Sequence, residues 1–287
     1  MNALRRLMCS PRLLQVGYGA TFRSAARTLG LLPAIRYLHH RSAVEADGIY
    51  HTRFHGVPVR FRARNMDELR CVENRALILE RATLEIIQRE LRSGDSFLDV
   101  GADVGVFTML AAAVVGTAGQ VIAFEPEVKA FDRLRDNLSL NELRNVRAFR
   151  AALGEERAEG RLCFSSTSCP SLVRDEDSGP EVQCEFVEVV NGDEFWNLLE
   201  LPIPHVIKVD VEGYEYSVLK GLRRTLSDPR ARLLLCEIHP PLLPKSTTPD
   251  AVRELILSLG FTHSVEFPRR DEIHVVARKE PSPCGAV

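Results

Sequence analysis

Two pairs of ionisable residues close short apolar runs: Asp210 and Glu212 at the end of His205 to Val211, and Glu237 and His239 after Leu233-Leu234-Leu235-Cys236. Residues two apart on an extended chain face the same side. If the two runs are neighbouring strands, four titratable groups converge. Such a group can orient a weakly acidic hydroxyl and remove its proton. His239 is the first candidate for general base, because a free imidazole titrates near ~6.5. Asp210 could orient His239, bind the substrate hydroxyl or meet a cationic group of a cofactor, and Glu237 could take the base role instead. A divalent ion on Asp210, Glu212 and Glu237 is conceivable because carboxylates suit magnesium, but no dedicated loop is present and no metal is expected. Bland alternatives stand beside these roles. His239 could close a turn before Pro240-Pro241, and Glu212 and Glu215 could simply complement a helix N-terminus. Lys208 could pair with a buried acid or reach the same crevice.

A second constellation is Asp99-Val100-Gly101-Ala102-Asp103-Val104-Gly105, which follows an apolar run and opens a helical one. Glycines let a backbone approach a ligand, and a helix N-terminus offers free amides. Dinucleotide and S-adenosylmethionine enzymes both use such turns. Asp103 stands where a dinucleotide would bring its pyrophosphate, and its charge would repel phosphate. Position 106, where that fingerprint wants a third glycine, is Val. S-adenosylmethionine has no phosphate and carries a sulfonium and an ammonium, which suit acids. Glu125 closes the next apolar run about 25 residues after the turn, near the ~20 of a ribose-binding acid. Asp99, Gly101, Asp103, Gly105 and Glu125 are therefore the candidate cofactor residues. A nicotinamide oxidoreductase is disfavoured by Asp103 and Val106.

These residues must be held by an alternation of strands and helices. Apolar runs at 97–100, 121–124, 146–152, 205–211 and 233–236 read as strands, and 105–115, 127–140, 213–226 and 249–259 as helices. That order predicts an α/β, doubly wound, Rossmann-like sheet, mostly parallel and covered on both faces. Residues 263–267 and 272–278 predict a closing hairpin that adds one antiparallel strand. Residues 49–64 read as a hairpin, 66–92 as a helix, and 154–192 as an inserted hairpin with a mobile tip. Asp193 reads as a helix N-cap. The expected division is an arm and hairpin over 1–65, the catalytic domain over 66–280, and a tail at 281–287.

Phe97-Leu98-Asp99-Val100-Gly101-Ala102, Ala123-Phe124-Glu125-Pro126, Asn137-Leu138, Asn141, Asn145-Val146, Ala152-Leu153-Gly154, Ile207 to Gly213 and Glu237-Ile238-His239-Pro240 together resemble the FkbM-type methyltransferases. The resemblance covers roughly residues 66–280. It implies a Rossmann-like methyltransferase fold and methyl transfer from S-adenosylmethionine, usually to a hydroxyl oxygen of a sugar or natural product. The family usually has Asn where this chain has Asp103. Asp keeps the tolerance for a left-handed backbone but adds a charge.

The net charge of -2 gives no basic surplus for nucleic acid. No apolar run approaches the ~18 residues of a membrane span. The seven scattered cysteines include no CxxC pair, which argues against zinc or a disulfide framework and for a reducing, cytoplasmic setting. Residues 1–44 carry seven arginines and no Asp or Glu. They read as a helical arm broken at Gly17, Gly19, Gly30 and Pro33, or as a mitochondrial targeting segment. The expected partner is a small-molecule or glycan acceptor, with oligomeric state open. The competing expectation is a catalytically silent S-adenosylmethionine-binding or scaffold protein.

Overall fold

The strands that carry the site are nearly continuous apolar stretches because they are covered on both faces. A computed structural model describes residue 28 and residues 30–54, 56–74, 80–164, 171–173, 183–269 and 271–280. Among these residues the chain opens with helix α1 (Leu32–Ala43), then strands β1 (Ile49–Phe54) and β2 (Val57–Arg62) and helices α2 (Met66–Asn74) and α3 (Arg81–Glu90). There follow β3 (Ser96–Val100), α4 (Val106–Val115), β4 (Gln120–Phe124), α5 (Val128–Leu140) and β5 (Val146–Phe149). After an inserted sheet come α6 (Gly192–Leu198), β10 (Val206–Val209), α7 (Glu215–Gly221), α8 (Arg223–Ser227), β11 (Leu233–Ile238), α9 (Pro249–Ser258), β12 (His263–Arg269) and β13 (Glu272–Arg278). The main sheet has seven strands in the order β12-β13-β11-β10-β3-β4-β5. Six of them point the same way, and β13 is antiparallel to both of its neighbours. The doubly wound α/β architecture with one antiparallel strand is thus present.

Alternation along each strand splits the apolar side chains between two layers. Phe97, Val121, Val206 and Leu235 face α3, α4 and α5, while Leu98, Ile122, Ile207 and Cys236 face α7, α8 and α9. The β1–β2 hairpin belongs to the first layer, since Tyr50 and Phe61 share its apolar cluster with Leu110 of α4. Its backbone is also stitched to α5. Asn137 accepts from Arg62 N at 2.8 Å, and Asn141 accepts from Arg60 N at 2.9 Å.

Four readings of the sequence need correction. The helix expected over 66–92 is two helices, α2 and α3, with residues 75–79 outside the described set. The strand expected over 146–152 divides at Arg150-Ala151 into β5 and β6 (Ala152–Gly154), which belong to different sheets. The insertion is more than a hairpin: β7 (Ala158–Phe164), β8 (Ser171–Val173) and β9 (Gln183–Asn191) join β6 in a four-stranded sheet ordered β6-β9-β7-β8. Its tip, at 165–170 and 174–182, lies outside the described residues. Finally, Cys163 and Cys184 form a disulfide. They are directly opposite one another in the β7–β9 register, a relation that their separation of 21 in sequence conceals. Disulfides persist in oxidising compartments, so the scattered cysteines no longer argue for a reducing one. No helix among the described residues is long and apolar enough to cross a membrane.

The arm is described at residue 28 and from residue 30 onward, where Gly30 has a left-handed backbone and α1 begins with Pro33 in its first turn. The targeting reading and the breaks at Gly17 and Gly19 fall outside the described residues.

Candidate active site

The sheet order changes direction between β3 and β10, and ligands of open α/β sheets bind beyond the carboxyl ends of the strands at that point. A cavity of about 270 Å³ opens there. Gly101 and Asp103 from the turn after β3, Glu125 after β4, and Asp210 and Glu212 after β10 all line it. The turn needs its first glycine for a reason internal to the protein. Gly101 has φ +82°, and a Cβ on it would run into the carbonyl oxygen of Asp210. Asp103 follows with φ 48°, and its N–H donates to Glu125 Oε2 at 2.8 Å. The other Glu125 oxygen accepts from Glu127 N at 2.9 Å. Burial, followed by the neighbouring Asp103 carboxylate, pushes Glu125 up to about 8 against the pull of these two N–H groups. Glu127 is also raised, by burial and by Asp103.

Two of the five candidate cofactor residues stand behind this wall. Gly105 starts α4 with φ +91°, where a Cβ would meet Leu134 Cδ1 at 2.6 Å. Asp99 is fully buried and accepts from Thr108 Oγ at 2.6 Å. Its other oxygen has no hydrogen-bond partner, and burial raises its pKa against the opposing pull of Lys208.

Lys208 links that interior to the strand ends. It lies opposite Asp99 in the β10–β3 register, packs its ammonium 4.5 Å from the Phe107 ring centre, and donates to Asp210 Oδ2 at 3.0 Å. Burial works against its charge, but Asp210 and Asp99 outweigh it and raise the pKa. Lys208 therefore pairs with buried acids and holds Asp210 in place.

β10 and β11 are parallel neighbours, with Val209 opposite Cys236, so the two i, i+2 pairs do come together. His239 Nε2 lies 3.8 Å from Asp210 Oδ1, 3.6 Å from Glu212 Oε2 and 3.7 Å from Glu237 Oε1. Its Nδ1 is 2.7 Å from Oε1 of Glu215, which also accepts from Gly213 N at 2.8 Å. Burial opposes charge on the ring, yet the Glu215 hydrogen bond and the Asp210 charge lift His239 to about 9. At neutral pH the ring thus holds a proton and is not a ready base. Glu237 is turned away from the cavity. Arg269 Nη2 reaches it at 3.1 Å and His274 Nε2 at 3.3 Å, while burial and Asp210 push it up to about 7.

Some contributors were not foreseen. Glu215 is fully buried and orients His239, whereas the sequence suggests only a helix-terminal charge. Leu162 and Leu172 bring the inserted sheet into the cavity wall, as does Arg133 of α5, whose buried Nη2 has no hydrogen-bond partner. No sequence pattern marks these three. Asp193, expected to cap its own helix, instead accepts from Arg224 N and Thr225 N at the start of α8, and Asn191 caps α6.

Residues 99–262, more than half of the chain, match the methyltransferase FkbM domain family. The chain belongs to the FkbM methyltransferase family. Hexuronic acid methyltransferase AglP of Haloferax volcanii is 27% identical over 225 residues, covering 78% of this chain and 87% of its own length. Methyltransferase 1 of Beauveria bassiana is 26% identical over 195 residues, covering 61% of this chain and 75% of its own. A solved FkbM methyltransferase from Methylobacillus flagellatus superposes with a TM-score of 0.45 at 18% identity, covering 74% of this chain and 54% of that one. This chain thus spans about half the length of that solved protein.

The family implies S-adenosylmethionine as methyl donor, and the cavity residues fit it. A protonated carboxyl has one O–H donor and keeps acceptor capacity, so Glu125 can still meet ribose hydroxyls beside its two N–H partners. Asp103 offers negative charge to a cationic cofactor, Phe124 and Leu153 offer apolar surface to a base, and Arg133 offers an N–H donor.

Proposed function

We propose that this FkbM-family methyltransferase transfers the methyl group of S-adenosylmethionine to a hydroxyl oxygen of a glycan or a hydroxylated small molecule. The observation that carries this reading is the position of Asp210. It lines the cavity that suits the cofactor, and with Glu212 it joins that cavity to the His239 cluster, while Lys208 holds its other oxygen. Transfer to an alcohol is a displacement at the sulfonium methyl. The oxygen attacks, the C–S bond breaks, S-adenosylhomocysteine leaves, and the hydroxyl proton passes to a base. Asp210 is placed for that proton, with Lys208 fixing its other oxygen. His239 supplies positive charge next to it, and Glu237 stands one layer further in. The relative named hexuronic acid methyltransferase makes uronate-containing glycans the first acceptors to try.

The test pairs binding with turnover. S-adenosylhomocysteine should bind the wild-type protein and Asp210→Asn with similar affinity. Release of S-adenosylhomocysteine from S-adenosylmethionine should depend on a hydroxylated acceptor. Absence of cofactor binding by the folded wild type would remove the donor assignment. Methylation confined to nitrogen or carbon acceptors would remove the oxygen assignment.

A further inference from the structure

One basic side chain, the half-buried Arg133, joins the wall of the donor cavity from α5. The helix face beside it is fixed by two contacts with the turn after β3. Leu134 packs where a Cβ on Gly105 would stand, and Asn137 Nδ2 donates to the Val104 carbonyl at 2.9 Å. Helical side chains lean toward the helix N-terminus. The N-terminus of α5 stands just beyond the carboxyl end of β4, so this lean carries Arg133 toward the cavity. Its Nη2 is shut off from solvent and has no hydrogen-bond partner, and no ion pair joins the guanidinium to a carboxylate among the described residues. Its charge does act on Glu127, but burial and Asp103 outweigh that pull and leave Glu127 raised. Taking a charged donor out of water without a partner is costly. A donor left open in this way calls for a ligand that completes it.

We propose that Arg133 binds the carboxylate of the cofactor's amino-acid tail, so that the cavity recognises a zwitterion and not merely a cation. This rests on the reading of S-adenosylmethionine as donor. Among the described residues that line the cavity, Arg133 is the only base, and it stands with Asp103, Glu125, Glu127, Asp210 and Glu212. The donor carries the opposite pattern: two cationic groups, the sulfonium and the ammonium, and one anion, the carboxylate. A purely cationic ligand would leave Arg133 unmatched. Ribose and adenine bring no charge that calls for a guanidinium, whose planar fork fits a carboxylate through two parallel bonds. With nothing bonding it in place, the long side chain can turn that fork onto the ligand.

The consequence is selectivity for an intact tail. A decarboxylated analogue keeps the nucleoside, the sulfur and the amine, and it loses the one group that Arg133 answers. Arg133 thus separates the amino-acid cofactor from its decarboxylated relatives, while the acids of the wall accept both.

The experiment is calorimetric titration of the full-length chain with two probes, S-adenosylhomocysteine and decarboxylated S-adenosylhomocysteine. Arg133→Gln should weaken S-adenosylhomocysteine by at least ~10-fold, the scale of a lost hydrogen bond to a charged group. The decarboxylated probe should bind wild type and variant alike. Arg133→Lys keeps the charge but not the fork, and its affinity for S-adenosylhomocysteine should fall between the other two. Without ligand, Arg133→Gln should melt no earlier than wild type, because it gives up no partner in the chain. A marked drop in melting temperature would make Arg133 a structural residue and overturn the proposal. Unchanged affinity of Arg133→Gln for S-adenosylhomocysteine would overturn it too, as would an equal loss for both probes, which would assign the side chain to the nucleoside. A wild-type chain that binds neither probe gives a different pattern, and it would remove the donor reading on which the proposal rests.

Discussion

At the ends of β3 and β4, Glu125 is met by two backbone N–H groups and by the like charge of Asp103. At the ends of β10 and β11, basic side chains stand among the acids: Lys208 on Asp210, Arg269 and His274 on Glu237, and His239 between Glu212 and Glu215. The two edges bound one crevice, yet they hold charge differently. The first meets its buried acid with backbone N–H groups, and its acidic lining suits a cationic ligand. The second carries its own cations and suits proton transfer. On the proposed function, the contrast would let a sulfonium donor and a neutral alcohol be received at opposite edges of one crevice.

The largest effect that would break this contrast concerns turnover. Asp210→Asn should lower the rate of methyl transfer by ~100- to 10,000-fold, the usual loss when a general base is removed. Its affinity for S-adenosylhomocysteine should stay close to wild type. Comparable losses of rate and affinity would mean that Asp210 belongs to the donor edge instead. Next in size is the donor edge itself. Glu125→Gln should weaken cofactor binding by about 0.5–1.5 kcal/mol, the range for hydrogen bonds between neutral groups, because the raised pKa keeps this carboxyl protonated at neutral pH. Calorimetric titration of the folded variant is the check, and an unchanged affinity would dismiss the ribose role.

The same carboxyl should leave a mark on stability without any ligand. Its pKa in the folded protein, about 8, lies above the ordinary 4.5. The folded state therefore holds more protons than the unfolded state between those values, so stability from this group falls as pH rises from about 4.5 to about 8. Urea midpoints measured across that window should decline with pH, and Glu125→Gln should flatten the decline. A slope of the same steepness in the variant would place the proton elsewhere. The smallest expected effect is none. NAD should leave the melting temperature where it was, because Asp103 repels phosphate, while S-adenosylhomocysteine should raise it. Stabilisation by NAD would reverse the comparison of the two edges.

Both edges were legible in the sequence to the extent that local rules govern them. Period-2 alternation and strand adjacency foretell the meeting of Asp210, Glu212, Glu237 and His239. The Gly101 turn and the spacing to Glu125 foretell the opposite wall. Asp99 shows where such rules stop. Alternation turns it toward Thr108 in the layer beneath α4, and nothing local distinguishes that from facing a ligand. Glu215 was hidden for another reason. A glutamate at a helix start is common enough to need no partner, and its contact with His239 spans 24 residues. The disulfide and the inserted sheet depend on a strand register that becomes visible only when β7 and β9 pair.

The close approach of Gly101 to the Asp210 carbonyl has a mechanical meaning. The loop that would hold the donor and the loop that would take the proton are butted together backbone to backbone, like two halves of a jig with no shim between them. Displacement by about 1 Å can cost a reaction of this kind ~100-fold. With no side chain at the joint, rearrangement of rotamers there cannot open or skew it, and main-chain geometry sets the spacing of the two loops. A new acceptor preference would therefore be obtained more readily by recutting the inserted sheet, which walls the cavity through Leu162 and Leu172, than by altering either half of the jig.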